Sequence, residues 1–225
     1  MSSPSNSAKK PKSSVGVQQL LENNRQWATE MTSENPDFFV ESAKGQDPQY
    51  LYIGCADSRV PASGIMGTIP GEMFVHRNIA NLVVNTDLNL LSVLQYAVEV
   101  LKVKDIMVVG HYGCGGVAAA AADKQYGLID NWLTHIRNVV HLHDTELSSI
   151  KDEKKRARKL VELNVLEQVR NLAKTDIIQN AMRGEHPPRL HGLVYELADG
   201  TLKDLKIDGA ALAREMKSIY GTEPH

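Results

Sequence analysis

The sequence has little that would support a disulfide scaffold, a membrane anchor or a nucleic-acid interface. It contains two cysteines, Cys55 and Cys114, which are too few and too far apart for a disulfide framework. No apolar run approaches the roughly 20 residues that span a bilayer. The 25 basic and 27 acidic side chains give a net charge of −2, without the electrostatic footprint of a nucleic-acid or membrane-surface binder. We therefore predict a soluble globular protein that has neither nucleic acid nor membrane as a partner.

The first 14 residues are serine-rich and carry no acidic side chain. They lack the apolar stretch of a secretory signal, and the absence of arginine weakens the alternative of a mitochondrial presequence. We predict a disordered tail at residues 1–14 and a cytoplasmic location. Residues 15–225 show no internal repeat and no long linker, so we predict that they form one domain.

Hydrophobic periodicity alternates between short strands and helices along the rest of the chain. The run from Asp105 to His111 is almost continuously apolar, as is typical of a strand buried on both faces of a parallel sheet. We predict an α/β fold with a mainly parallel central sheet flanked by helices, and ligands at the carboxyl ends of the strands. Strands are predicted at residues 50–54, 73–77 and 105–111 and in a hairpin at 190–207, and helices at 17–31, 87–101, 115–124, 131–180 and 210–220.

Both cysteines follow predicted strands, Cys55 directly and Cys114 three residues after His111. Two thiolates and one imidazole form a soft donor set that suits zinc, and three protein donors leave a fourth position open, as in catalytic zinc sites. Because His-x-x-Cys alone is a weak signal, a structural histidine beside a buried free thiol remains the alternative. Two other histidine pairs have no cysteine nearby: His141 with His143, and His186 with His191.

The segment CADSRVP places Asp57 and Arg59 two and four residues after Cys55. An aspartate beside an arginine has a lowered pKa and stays ionised, and the planar guanidinium can hold the carboxylate with two hydrogen bonds. Such an aspartate could orient a hydroxide on zinc, or could take the open zinc position itself. A surface ion pair in a turn is the alternative interpretation.

Three segments together resemble the signature segments of β-class carbonic anhydrases. They are CADSRVP, PGEMFVHRNIAN at residues 70–81 and GHYGCGG at residues 110–116, and the similarity runs from about Leu20 to the Asp199-Gly200 turn. The resemblance implies an α/β fold, an obligate homodimer that could assemble into a tetramer, and one Zn²⁺ per chain. It also implies reversible hydration of carbon dioxide to bicarbonate and a proton by zinc-bound hydroxide. The amphipathic helix from Val17 to Met31 would then be an arm that packs on the dimer partner.

The resemblance also assigns roles to single residues. The zinc ligands would be Cys55, His111 and Cys114, and the catalytic dyad would be Asp57 and Arg59. The substrate-binding residues would be Gln46, Phe74, Ile79 and Tyr96, which the family arranges across the dimer interface. The sequence alone would make the last three ordinary core residues.

Two other functions remain open at this point. The same scaffold could hydrolyse carbon disulfide or carbonyl sulfide, because both substrates are linear and are attacked by hydroxide. A zinc-binding sensor of bicarbonate is the non-enzymatic alternative, although a sensor need not keep Asp57 and Arg59. No residue of the sequence identifies itself as a proton shuttle.

Some β-class enzymes bind bicarbonate in a second, regulatory pocket and close the dyad aspartate onto zinc at low pH. The matching positions here are Tyr52, Arg77 and Tyr195, with Gly54 where a larger residue would crowd the pocket. Tyr52 departs from the family pattern, which has tryptophan, and it replaces an indole N–H with a hydroxyl. The alternative is that Arg77 pairs with a carboxylate near Asp57 and that Tyr52 packs in the core.

Overall fold

The computed structural model describes residues 16–220, without the side chains of Ala210 and Tyr220, so the predicted tail at 1–14 lies outside the described residues. The chain divides into two compact units between Gly45 and Gln46. The first unit contains two helices, and the second contains the whole described sheet. The assignment of residues 15–225 to one domain stays a prediction.

The first unit consists of α1 (Val17–Glu34) and α2 (Phe38–Ser42). Helix α1 covers the predicted helix at 17–31 and continues three residues further. Its Trp27 ring meets Phe39 edge to face, with ring centroids 5.6 Å apart. No residue of α1 is buried, and Leu20 and Leu21 are 55% and 48% exposed. The helix therefore presents apolar side chains that this single chain leaves uncovered.

The second unit is built on a five-stranded sheet in the order β2-β1-β3-β4-β5. The first four strands are parallel, and β5 is antiparallel to β4, which confirms the predicted mainly parallel sheet and its terminal hairpin. Strands β1 and β3 lie inside the sheet and are buried along most of their length. The strands are β1 (Tyr50–Cys55), β2 (Met73–Asn78), β3 (Asp105–His111), β4 (Arg189–Tyr195) and β5 (Leu202–Asp204).

The helices of the second unit differ from the predicted ones where local caps interrupt the apolar periodicity. The predicted helix at 87–101 is an α-helix that changes to one π-turn at Tyr96–Val100. The predicted helical stretch at 131–180 is four helices, because the side chains of Asp152 and Thr175 cap new helix starts. Within residues 16–220, no helix is long and apolar enough to cross a membrane. The helices are α3 (Ala62–Met66), α4 (Leu88–Gln95), α5 (Gly115–Ala121), α6 (Ile129–Leu142), α7 (Asp144–Ser149), α8 (Glu153–Ala173), α9 (Asp176–Ala181) and α10 (Gly209–Tyr220).

Helix α8 packs closely on β3 and β4. A Cβ atom at Gly110 would lie 2.6 Å from Val165 Cγ2, and one at Gly192 would lie 3.2 Å from Val165 Cγ1. Two glycines on neighbouring strands therefore let the helix approach the sheet, which needs a small residue at both positions. This close packing fixes α8 above the strand ends that carry the candidate metal ligands.

At the opposite edge of the sheet, Asp105 begins β3 with a buried carboxylate. Arg189 donates two hydrogen bonds to it, at 2.7 and 2.8 Å, and His191 Nε2 lies 2.7 Å from Oδ1. Burial raises the pKa of Asp105, but the hydrogen bonds from Arg189 and His191 outweigh burial and leave that pKa below its ordinary value. The charged carboxylate thus joins the starts of β3 and β4.

We predict that Asp105→Asn lowers the free energy of unfolding at pH 7 by about 1–2 kcal/mol, because charge-assisted hydrogen bonds are lost. Since the folded-state pKa lies below the ordinary 3.8, the stabilisation is complete above that value and disappears as the pH falls through the folded-state pKa. Urea unfolding at matched protein concentration should show a smaller difference from wild type at about pH 3 than at pH 7. Asp204→Asn, at an exposed pair with Lys206, is the control and should change little. An equal difference at both pH values would contradict the assignment.

Candidate metal centre

The carboxyl ends of β1 and β3 and the start of α5 bring three soft donors together. Cys55 ends β1, His111 ends the neighbouring β3, and Cys114 stands directly before α5. The two sulfur atoms are 4.0 Å apart, and all three ligand atoms lie within 4.8 Å of one another. In the described part of the chain, this is the one group of three or more His, Cys, Asp or Glu side chains with that geometry. The structure thus brings together the three predicted ligands.

The ring of His111 is oriented with one nitrogen engaged and the other free. Nδ1 lies 3.1 Å from the carbonyl oxygen of Tyr112, and Nε2 is buried without any hydrogen-bond partner. Since Nδ1 can donate its hydrogen to that carbonyl, the lone pair of Nε2 is available beside the two sulfurs. A buried, unpaired nitrogen is costly unless a ligand satisfies it. The donor set and this free nitrogen fit a zinc ion.

The two thiols cannot both ionise without a cation. The hydrogen bond between the two thiols lowers the pKa of Cys55 to about 4. The same contact raises the pKa of the Cys114 thiol well above its usual range. A thiolate at Cys55 therefore favours the protonated thiol at Cys114. Nearby backbone N–H groups contribute to lowering the pKa of both thiols, those of Ala80 and Asp57 for Cys55 and those at the start of α5 for Cys114. A divalent metal ion would allow the second thiolate to form.

Asp57 and Arg59 form a close pair at the edge of this cluster. Arg59 donates to the carboxylate through Nε at 2.9 Å, through Nη2 at 2.7 Å and through its backbone N–H at 2.9 Å. These hydrogen bonds hold the pKa of Asp57 well below its usual range. Oδ2 of Asp57 lies 3.7 Å from Nε2 of His111. An ionised carboxylate thus stands beside the nitrogen that would hold the metal.

Arg77 has a role that the sequence did not reveal. Its guanidinium donates to the carbonyl oxygens of Cys55, Asp57 and Val60, at 2.9, 2.7 and 2.9 Å. The hydrogen bonds recorded for Arg77 therefore go to main-chain carbonyls and not to a carboxylate, so the alternative of an ion pair near the dyad is wrong. Arg77 fixes the backbone that carries a candidate metal ligand and the candidate dyad.

Tyr52 is fully buried, and its hydroxyl has no hydrogen-bond partner. Burial raises its pKa to about 12. A Cβ atom at Gly54 would lie 2.1 Å from Cε1 of Tyr52, so the glycine makes room for this ring. Arg77 pairs with Gly54 on the neighbouring strand, and Tyr195 pairs with His111. No hydrogen bond joins Tyr52, Arg77 and Tyr195 in the described structure, and the regulatory bicarbonate pocket stays a prediction.

The predicted substrate-binding residues lie largely at the surface of the single chain. Phe74 and Tyr96 stack in a tilted arrangement, with ring centroids 5.8 Å apart, and Tyr96 begins the π-turn. Tyr96 and Ile79 are 44% and 40% exposed, so the interpretation as ordinary core residues is wrong for both. Gln46 is exposed as well. This single chain therefore presents an apolar surface at these positions and not a closed pocket.

The rival histidines have other surroundings. His143 lies 2.8 Å from Glu167, and His191 is bound to Asp105. His141 and His186 are exposed. None of the four belongs to the donor cluster, so the alternative metal sites receive no support from the described residues.

Comparisons with known proteins agree with this geometry. Residues 50–202 match the family model described as carbonic anhydrase, and these residues include all three signature segments. A carbonic anhydrase of Emericella nidulans is 49% identical over 201 residues, which cover 89% of this chain and 88% of that protein. A structure from work on two tetrameric β-carbonic anhydrases of Sordaria macrospora aligns with a TM-score of 0.81 at 41% identity, over 85% of this chain and 97% of that one. A β-carbonic anhydrase of Aspergillus fumigatus aligns with a TM-score of 0.85 at 35% identity, over 92% and 99%.

We predict that Cys114→Ala loses most of its zinc, because only two donors would remain at the cluster. The measurement is zinc content per chain by elemental analysis of the purified native protein and of the variant. His141→Ala removes an exposed histidine outside the cluster and is the control, which should keep the wild-type zinc content. Full zinc retention in Cys114→Ala would overturn the ligand assignment.

Proposed function

This chain belongs to the β-class carbonic anhydrases, and we propose that it interconverts carbon dioxide and bicarbonate at a zinc ion held by Cys55, His111 and Cys114. The observation that carries the proposal is the buried, unpaired Nε2 of His111 beside two thiols and the Asp57 carboxylate. When bound, zinc lowers the pKa of a coordinated water from 15.7 to about 7 and so supplies a nucleophile at neutral pH.

We assign Asp57 the role of orienting the reacting water. An ionised carboxylate only accepts hydrogen bonds, so a water beside Nε2 of His111 must turn one O–H towards Oδ2 of Asp57. A lone pair of the water oxygen is then available to attack the carbon atom of the substrate. Arg59 keeps the carboxylate ionised and fixes its direction through two side-chain hydrogen bonds. Positioning of this kind lowers the barrier because the attacking atom is already aligned.

We assign substrate binding to the apolar surface formed by Phe74, Ile79 and Tyr96, with Gln46 as the polar contact. Carbon dioxide is linear and carries no net charge, so an apolar, water-poor wall suits it better than a charged anchor. The exposure of Ile79 and Tyr96 in the single chain supports a pocket that another subunit completes. The amide of Gln46 would donate a hydrogen bond to an oxygen of the bicarbonate that forms.

We further infer that the working protein is at least a dimer, with α1 packing on the partner subunit. The exposed Leu20, Leu21 and Trp27 of α1 support this inference, because large apolar surfaces of this kind are usually covered by a partner. The Sordaria macrospora structures are described as tetrameric, so a larger assembly is compatible with the proposal. The cytoplasmic location stays a prediction from sequence.

Sedimentation velocity tests the assembly. We predict dimers or tetramers, with no detectable monomer at micromolar concentration. Joint replacement of Leu20→Asp and Leu21→Asp should produce smaller species, because charge replaces the apolar contact. The control joins Gln19→Asp and Gln26→Asp, which change two polar side chains of the same helix, and should sediment as wild type. A stable, fully active monomer of the native chain would contradict the assembly and the shared pocket.

Asp57→Asn tests the catalytic role. We expect the variant to keep its zinc, since Asp57 is not among the three clustered donors. Hydration of carbon dioxide, measured by stopped flow, should fall by a factor of about 10² or more, the usual scale for a positioned acid–base group. Near wild-type turnover from about pH 7 to 9, with zinc retained, would refute the role. Loss of zinc in this variant would instead make Asp57 a metal ligand.

A further inference from the structure

The turn that follows β2 has an unfavourable backbone conformation. Ala80 and Asn81 have φ angles of 63° and 50°, in the left-handed region that favours glycine. Both residues are buried, at 0% and 1% exposure, so the turn has no freedom to relax into solvent. Backbone strain of this kind persists only where the surrounding structure enforces it, and it is frequent at functional sites.

The turn begins beside the metal centre. Cys55 pairs with Asn78, the residue before the turn, and the N–H of Ala56 donates to the carbonyl of Asn78 at 2.8 Å. The nearby backbone N–H of Ala80 also contributes to the lowered pKa of Cys55.

The same turn packs against Gly116, two residues after Cys114. A Cβ atom at Gly116 would lie 2.8 Å from Ile79 Cγ2 and 3.2 Å from Ala80 Cβ. The nearby backbone N–H of Gly116 contributes to lowering the pKa of Cys114. The turn at 79–81 therefore follows the partner residue of Cys55 and packs against the start of α5, directly after Cys114.

A row of amide side chains on α8 contacts this turn and the segment that follows it. Asn164 Nδ2 donates to the carbonyl of Ala80 at 3.1 Å, and Gln168 Oε1 accepts the N–H of Val83 at 2.9 Å. Gln168 Nε2 donates to Asn164 Oδ1 at 3.0 Å, which leaves the Asn164 donor for Ala80. Asn171 adds a longer bond, 3.3 Å, to the carbonyl of Val83.

The placement of these amides indicates a role in hydrogen bonding and not only in packing. Residues 164, 168 and 171 are spaced by four and three, so they share one face of α8. Asn164 and Gln168 are each 1% exposed, in a face that otherwise packs valine and leucine into the core. Buried amides stabilise a fold less than well-packed apolar side chains unless their hydrogen bonds are needed. Here the bond of Asn164 goes to the strained turn, and those of Gln168 and Asn171 go to Val83, two residues after it.

We propose that Asn164 is a positioning residue of the zinc centre: by holding the carbonyl of Ala80, it keeps the left-handed turn that lies beside Cys55 and against Gly116, and it thereby slows loss of zinc. The inference rests on the zinc centre of the proposed function and not on carbon dioxide hydration. Outer-shell partners of metal ligands commonly change metal affinity by 10- to 100-fold. Asn164 acts one bond further away, so the low end of that range is expected.

Zinc release from the intact zinc-loaded protein to a coloured chelator tests the proposal. Asn164→Ser removes the bond to Ala80, while its hydroxyl can be satisfied by the carbonyl four residues earlier. We expect release about tenfold faster than in wild type. The control is Val169→Ala, which leaves a cavity at another buried position of the same helix and should destabilise the fold without faster release. Equal release rates in the two variants, at matched unfolding midpoints, would overturn the proposal.

A rescue variant separates positioning from a general loss of stability. Ala80→Gly makes the left-handed conformation available without strain, so Asn164→Ser combined with Ala80→Gly should return release to within about threefold of wild type. The cobalt-substituted protein gives a second readout, since the sulfur-to-metal absorption band should shift in Asn164→Ser and return in the double variant. No rescue and no shift would make Asn164 a packing residue and overturn the proposal.

Three further outcomes keep the test decisive. If Asn164→Ser does not fold, Asn164→Asp keeps the shape and the acceptor for Gln168 but loses the donor to Ala80, and wild-type release from it would overturn the proposal. A native protein that holds zinc but does not hydrate carbon dioxide would refute the proposed function and leave this inference standing. A native protein that binds no zinc would overturn both.

Discussion

The structure around the metal centre depends on three buried donor side chains, Cys55, His111 and Cys114, whose metal-binding atoms lie close to one another. Two sulfur atoms lie 4.0 Å apart, beside an imidazole nitrogen that has no partner and no contact with water. Within the protein alone, the contact between the two thiols lowers the pKa of Cys55 and raises that of Cys114, so it favours one thiolate where zinc binding needs two. A divalent cation resolves this conflict, and most features around the cluster serve to keep the donors in place for it.

The donors are held by backbone groups more than by side chains. Strands β1 and β3 fix the positions of Cys55 and His111 because they are adjacent, parallel and buried. The carbonyl of Tyr112 sets the orientation of the imidazole, and Arg77 ties the chain after β1 through three carbonyls. The rigid elements thus determine the direction of each ligand, as a metal site with one position open to a substrate requires.

The sequence predicted the features that are local in the chain. The sheet, its hairpin and the donors Cys55, His111 and Cys114 follow from short apolar runs and from residues at the ends of those runs, and the structure confirms this arrangement. The contacts of Arg77 and Asn164 could not be predicted in the same way, because their partners lie 17 or more residues away in the chain. An amide within an apolar helical stripe was the available signal for Asn164, but a stripe does not show which carbonyl the amide meets.

The breaks in the predicted helices have the same cause. Periodicity alone joins residues 131–180, whereas Asp152 and Thr175 provide caps that start new helices. The π-turn beginning at Tyr96 places an extra residue where a regular helix was expected, and it leaves that aromatic ring beside Phe74. Such a turn has no periodic signature, because it depends on how the ring packs after the sheet has formed.

The metal centre and the apolar wall differ in how much of each a single chain supplies. The donors, the Asp57–Arg59 pair and the hydrogen bonds that hold them all come from residues of the second unit. The apolar residues Ile79 and Tyr96 remain about two-fifths exposed. On the proposed assembly, metal binding could therefore precede association, whereas exclusion of water from the substrate's path would need the partner subunit. Since the strained turn contains both Ile79 and Ala80 and follows the partner residue of Cys55, the same few residues connect the metal centre to the apolar surface that we assign to substrate binding.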